Sequence, residues 1–353
     1  MKRIISLLLI LLMAFALFSC GEGKRPEQTS APEQTSAQTE KTPVTEDTSV
    51  PETKDDAEYA ELEAGYPAEA PFLWKVQSEN GGLLYMLGTI HVGDERNAEA
   101  VERFKPFLDR CGVLAVECDT VAFQNDYAAM MKYVSGFMYK DGTKLKDHLS
   151  PELYEKLVAV AKELGFYSAM FENFDLSFWS QTLEQQTLDY YTDLSPDSGV
   201  DVLLMNYAKD REYEVREIES VEAQNEMFQS FSDELYQILI GDSLEDPEET
   251  AKQTVDLYEL YVKGDEEIFD LLTEEVDEET LAKYTEKQIA LYDDYNKKML
   301  DDRNLGMRDK AIEYLKNGDK VFYAVGLAHY VGDAGLISLL EDAGYTVTRV
   351  GSK

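Results

Sequence analysis

At 353 residues the chain is long enough for a large folded domain with a substantial core, and its 70 Asp and Glu far outnumber its 33 Lys and Arg. A formal charge of −37 excludes nucleic acid and anionic lipid as partners of the folded part, since phosphate-rich surfaces call for net positive charge. Much of the acid reads as solvated surface and carries no information about substrate.

The N-terminus reads as an export signal over residues 1–19. Lys2 and Arg3 precede an apolar stretch from Ile4 to Phe18, too short and wrongly flanked for an ordinary membrane span. Leu17-Phe18-Ser19-Cys20 resembles the bacterial lipobox, which implies cleavage before Cys20 and its di- or triacylation (palmitate included). Two or more acyl chains anchor stably where one holds only marginally. The expected location is therefore the extracytoplasmic face of a bacterial membrane, the alternative being a plain signal peptide with an accidental Cys. Residues 20–67 read as a disordered acidic tether, carrying the tandem Pro26-Glu27-Gln28-Thr29-Ser30-Ala31 and Pro32-Glu33-Gln34-Thr35-Ser36-Ala37. No aromatic lies between Gly21 and Glu58, so most of this span cannot bury enough surface to offset its ordering entropy.

Residues 68–353 form the expected folded domain. Leu83-Leu84-Tyr85-Met86-Leu87 is a continuous apolar run suited to a strand buried on both faces. Asp94 can cap a helix over about 95–109, with Ala98, Val101, Phe104 and Leu108 on one stripe. Val113–Glu117 then completes a βαβ unit. Cys111 and Cys118 flank this strand about 23 Å apart at ~3.3 Å per residue, which excludes a disulfide and favours two small buried residues. Ser150-Pro151 is an N-cap followed by proline at the first helical position, and Gly165 closes that helix. Further amphipathic stretches follow, Tyr213–Glu217 being a candidate strand among them, so about 120–300 reads as an inserted helical lobe. The end of the chain repeats the opening plan: Lys320–Val325 as strand, a helix after Asp333, Gly344 as its stop and Tyr345–Val350 as closing strand. The fold class is α/β, with two pseudo-symmetric βαβ halves sharing one mostly parallel sheet.

The two ends share more than a plan. Tyr85-Met86-Leu87-Gly88-Thr89-Ile90-His91 precedes Val92-Gly93-Asp94, and Tyr323-Ala324-Val325-Gly326-Leu327-Ala328-His329 is followed after Tyr330 by Val331-Gly332-Asp333. Two of the three histidines thus sit three residues after a glycine in one frame. Ligands of open parallel sheets bind outside the carboxyl ends of the strands, so His91 and His329 should converge on a common crevice. Converging neutral imidazoles are a natural half of a metal site. Glu117, ending its own strand, is placed to add an oxygen ligand or act as a base, and a His2Glu set with an open position is a hydrolytic arrangement. The competing reading makes each His a hydrogen-bonded structural residue and Glu117 an ordinary polar strand end. His148, near the Ser150 cap, reads as surface, and Tyr85 and Tyr323 as core. Cys118 between Glu117 and Asp119 is a poor nucleophile, because the negative field suppresses its thiolate.

The Leu-Tyr-x-Leu-Gly-Thr-Ile-His-Val frame, the strand ending in Glu117 and the Val-Gly-Leu-Ala-His close resemble the TraB/GumN family, which includes the TIKI proteases and the pheromone-shutdown proteins. Gly199-Val200-Asp201, Glu217-Ile218-Glu219-Ser220 with Gln224, and Arg303-Asn304 extend the match, which covers about 72–350. The resemblance implies a metal-dependent peptidase fold whose signature polar positions fall on His91, Glu117, Arg303 and His329. It implies a divalent cation, Mn or Co before Zn, and a peptide or protein substrate. Arg303 would stabilise the oxyanion of a tetrahedral intermediate, its alternative being a helix cap and salt bridge. Glu219 and Gln224 read as structural, fixing the lobe against the sheet. The sequence therefore supports a lipid-anchored metallohydrolase, with a non-catalytic peptide- or signal-binding protein as the other reading.

Overall fold

The computed structural model describes residues 56–351. The export signal, Cys20 and the tether up to residue 55 lie outside the described residues. The end of the span expected as tether is ordered instead: Asp56–Ala64 is a helix with Tyr59 buried. The guanidinium of Arg110 stacks on Tyr59, 4.3 Å from the ring centroid. Glu63 of the same helix accepts from Lys75 at 2.8 Å. One aromatic and one carboxylate thus tie the entry segment to the domain.

Six strands form one sheet: β1 (Leu73–Gln77), β2 (Leu83–Thr89), β3 (Val113–Val116), β4 (Glu214–Glu217), β5 (Lys320–Gly326) and β6 (Val347–Arg349). Their order is β4-β3-β5-β2-β1-β6, and only β1 runs against the rest. Central β2 is buried along its whole length, which explains its uninterrupted apolar run. The outer strand β4 is half-exposed and carries Glu214, Arg216 and Glu217, charges that discourage pairing with another chain.

The helix Glu95–Cys111 begins on its Asp94 cap, whose side chain accepts from Arg96 N–H. It ends at Gly112, in the left-handed conformation at φ 64°. It covers one face of the sheet, where Phe107 meets Tyr85. The helix Asp302–Asn317 covers the other, where Tyr323 donates to Met307 O at 2.8 Å. Tyr323 pairs in register with Met86, the neighbour of Tyr85, so alternation along the strand sends the two tyrosines to opposite sides. Both are fully buried, as expected.

Three expectations change. First, β1 was not anticipated; it forms a hairpin with β2 and carries β6 on its outer side. Second, the two halves are unequal, the crossover of one spanning a single strand and that of the other spanning two. The crossover from β2 to β3 passes over β5, whereas that from β5 to β6 runs the other way past β2 and β1. The two frames are also offset in register, with Thr89 opposite Gly326. Third, residues 120–300 are not one separate lobe. β4 and the helices Val200–Asp210, Pro247–Lys263 and Glu267–Thr273 pack on the core around the sheet, while Phe137, Trp179, Leu239 and Tyr292 belong to a second core that joins the helices carrying them. His148, expected at the surface, is only half-exposed. It bonds Asp233 at 2.6 Å and Thr143 at 2.7 Å and stacks on Tyr139.

Candidate metal centre

The four parallel strands β4, β3, β5 and β2 lie side by side, and each delivers polar residues just beyond its carboxyl end. Glu219 follows β4, Glu117 follows β3, Gly326 and His329 close β5, and His91 follows β2. Residues more than 200 positions apart therefore meet at one edge for the reason the fold class supplies: strand ends of an open sheet share a rim.

Glu117 is the centre of the cluster. Its Oε1 lies 3.8 Å from Nε2 of His91 and 3.8 Å from Nε2 of His329. The same oxygen accepts from Gly326 N–H at 2.8 Å, and Oε2 accepts from Arg303 at 2.5 Å. A side chain at Gly326 would intrude here, since a Cβ would stand 3.3 Å from Glu117 Oε1 and 3.4 Å from His91 Nε2. A methyl there would press on the carboxylate and come into contact with both rings.

Each histidine is oriented from behind, by a different partner. Nδ1 of His91 faces Asp201 Oδ2 at 3.1 Å, and Nδ1 of His329 faces Asn304 Oδ1 at 2.6 Å. Asn304 donates from Nδ2 to Ala334 O at 2.8 Å, which fixes its oxygen as the acceptor towards His329. With Nδ1–H donated in each case, the remaining Nε2 points into the cluster, and both Nε2 atoms are buried without a hydrogen-bond partner. Buried polar atoms ordinarily find partners, so this pair of orphans marks a place for a further group.

The electrostatics are asymmetric. Burial would push His91 down, but the Asp201 and Glu117 carboxylates outweigh it and raise it to about 9. His329 is lowered to about 3, by burial first and then by the Arg303 cation. Burial would raise Glu117, yet Arg303, the histidines and the Gly326 N–H hold it well below the ordinary carboxylate range.

The matched signature of the TraB/PrgY/gumN family spans residues 72–349. The chain belongs to that family. Comparison with curated proteins and with solved structures gave no match. The family match covers the whole sheet and both histidine frames, in agreement with the resemblance carried by those motifs.

The donor set fits a divalent cation. Two imidazole nitrogens, each ring turned by a partner on its Nδ1, lie 3.8 Å from one carboxylate oxygen, and each imidazole has the outer hydrogen bond that metal-binding histidines ordinarily have. As placed, no group of three His, Cys, Asp or Glu among the described residues is close enough to hold an ion. Ligands ~2.1 Å from one tetrahedral metal stand about 3.4 Å apart, so the 3.8 Å from Glu117 Oε1 to each Nε2 asks for a contraction of a few tenths of an ångström.

Arg303 enters from the helix Asp302–Asn317, and its bonds are already engaged. Nε and Nη2 donate to Glu219 at 3.0 and 2.7 Å, Nη2 also to Glu117, and Nη1 to Met299 O at 3.2 Å. These contacts favour the salt-bridge alternative over oxyanion binding. Gln224 donates to Glu219 at 2.8 Å, so both tie the lobe to the rim. Sequence reasoning assigned no role to Asp201, Asn304 or the Gly326 N–H. The one local signal is adjacency, Asp201 closing the Gly199-Val200-Asp201 run and Asn304 following Arg303. Cys111 and Cys118 are unbridged. Burial and then Glu117 push the Cys118 thiol up, which disfavours a cysteine nucleophile.

Proposed function

We propose that the protein is a metal-dependent hydrolase, acting on peptides and held by lipid at Cys20 on the outer side of a bacterial membrane. The observation that carries the hydrolase reading is the pair of buried, unpartnered Nε2 atoms facing one carboxylate oxygen. His91, His329 and Glu117 would hold a Mn, Co or Zn ion. Such a cation supplies Lewis-acid polarisation and a nucleophile near neutral pH when bound. Asp201 and Asn304 keep the two rings turned inward. Arg303 and the Gly326 N–H hold the Glu117 carboxylate ionised and fixed, which makes Arg303 a positioning residue. Release of the Gly326 N–H would free Oε1 of Glu117 to take a proton. Because His91 is raised to about 9, metal uptake at pH 7 must displace a proton from its Nε2.

The test is metal content of the purified full chain with and without His91→Ala. One equivalent of divalent metal in the parent and well under half in the variant is expected. Unchanged stoichiometry rejects the site.

A second reading, a surface protein that binds a peptide or signal without cleaving it, draws support from the engagement of both Glu117 oxygens. Turnover of a peptide library with added Mn, Co or Zn separates the two. Product formed by the parent and abolished by Glu117→Gln supports the hydrolase, whereas binding by the parent without any product, left intact in Glu117→Gln, supports the binder.

A further inference from the structure

An open groove of about 990 Å³ runs along the β4 edge of the sheet. Edge strand β4 supplies its floor through Val215, with Met205 of the helix Val200–Asp210 beside it. Glu214 and Arg216 flank Val215 and pair with each other at 2.9 Å, but alternation sends them to the opposite side of the strand. The facing wall is the corner between the helices Thr120–Asn125 and Tyr127–Gly136, where Val121, Ala122 and Tyr127 line the groove.

The groove adjoins the rim that holds the metal centre. Val215 pairs in register with Leu114, so Glu117 stands three residues further along and one strand over. At ~3.3 Å per residue and ~4.8 Å between strands that is about 11 Å, a span of three extended residues. Asp119, two residues past Glu117, lines the groove itself.

Two features set its walls apart from ordinary solvated surface. Tyr127 is 71 % exposed and Met131, one turn on, 45 % exposed, on a helix without a single acid in a chain that has 70. On the other wall Glu212 has φ 57°, the one non-glycine among the described residues in the left-handed conformation. It turns the chain out of the helix Val200–Asp210, a task that Gly112, Gly264 and Gly318 perform at three other helix ends. Any side chain costs free energy in that conformation where glycine does not, so an exposed carboxylate is kept at the groove against the local preference. Asp119, Asp126 and Glu212 stand along the groove against the single base Lys209. An apolar floor, an aromatic rim and an excess of carboxylates suit an extended segment in which a cationic side chain is flanked by apolar ones.

We propose that this groove docks a peptide through an arginine, its guanidinium between Tyr127 and the Asp126 and Glu212 carboxylates, with a neighbouring apolar side chain on Val215 and Met205. Arginine suits the walls better than lysine, because a planar guanidinium stacks on a ring and bonds a carboxylate at once. The proposal shares with both readings of the metal centre only that the partner is a peptide, and it needs no metal.

Isothermal titration of the full chain at about 0.15 M salt, where long-range attraction is screened, tests this with two capped heptapeptides. One is Gly-Ala-Val-Arg-Val-Ala-Gly, and the other replaces its arginine by citrulline, which keeps the shape and drops the charge. The arginine peptide should bind at least about ten-fold more tightly. Glu212→Gly should cut that ratio at least about three-fold while the thermal midpoint stays level or rises, since glycine relieves the left-handed turn. A residue kept for folding alone would leave the ratio where it was. Tyr127→Ala should weaken binding of the arginine peptide by removing its stacking partner. His91→Ala should leave the ratio intact, and loss of metal or turnover in that variant bears on the metal centre alone. Equal binding of the two peptides, no binding of either, or a ratio unmoved in Glu212→Gly overturns the proposal.

Discussion

His91 and His329 occupy the same place in the same seven-residue frame, yet the protein treats them oppositely. His91 leaves β2 in an extended loop, remains slightly exposed and faces a carboxylate through Nδ1. His329 sits in a tight turn after β5, fully buried, and faces a neutral amide. Asp201 and Glu117 carry the first ring up to about 9, whereas burial and Arg303 take the second down to about 3. The repeated motif sets where an imidazole points, and the partner behind it decides its charge. In one site the protein thus holds one imidazole neutral and another whose charge depends on pH.

The largest way to disturb this comparison is to remove what both rings share. Glu117→Ala leaves Arg303 buried with only Glu219 as counter-ion and takes the carboxylate from between the histidines. Breaking a buried pair on one side costs about 3–5 kcal/mol, and urea unfolding of the metal-free protein should show a loss in that range. A loss below about 1 kcal/mol would mean that Arg303 finds full compensation elsewhere.

The two histidines should also pull stability in opposite directions with pH in metal-free protein. His91 has a folded value above its unfolded value of about 6.5, so its stabilisation is full below pH 6.5 and is lost as pH rises through about 9. His329 has a depressed folded value, so the unfolded chain takes up its proton first, and stability falls as pH drops from 6.5 towards about 3. Each slope is at most about 1.4 kcal/mol per pH unit. Asp201→Asn gives His91 a neutral partner like that of His329, and the decline on the alkaline side should largely vanish. NMR titration of the ring protons should show the His91 midpoint lowered while that of His329 stays put.

How much of this was legible beforehand depends on distance along the chain. The strands around Leu83–Leu87 and Val321–Val325 were readable because a doubly covered parallel strand needs an unbroken apolar run. Their shared frame gave away His91 and His329, and the end of β3 gave Glu117. By contrast β1, five residues containing Lys75 and Gln77, has no such run and takes its place only by pairing with β2. Asp201 lies 110 positions from His91, and nothing local tells which acid of 70 will stand behind that ring. Arg303 was readable as a candidate but its partners were not, because whether a guanidinium is free or engaged depends on Glu117 and Glu219 arriving from other elements.

A smaller perturbation sharpens the contrast from the other side. Asn304→Asp would give His329 a charged partner in place of the amide at 2.6 Å. The added carboxylate should raise the His329 midpoint towards that of His91, at a cost of about 1–3 kcal/mol for burying a charge where a neutral hydrogen bond stood. The same NMR titration reads it, and an unmoved His329 would show that burial alone fixes that ring.

The smallest effect on stability should come from Gly326→Ala, and it probes geometry without touching charge. Gly326 has φ −53°, a value any residue adopts, so the backbone does not demand glycine. Replacing glycine at a compatible position restricts the unfolded chain and stabilises by about 0.4–1 kcal/mol. Against that, the new methyl would stand 3.3 Å from Glu117 Oε1 and 3.4 Å from His91 Nε2, so each must retreat by a few tenths of an ångström. The two effects should nearly cancel, leaving the urea midpoint within about 0.5 kcal/mol of the parent. The contraction needed to bring three ligands onto one ion is then opposed by the methyl, so metal affinity should fall while stability, His329 and Arg303 are unaffected. A variant that keeps full metal affinity would show that the ion, if bound, is not seated over Gly326.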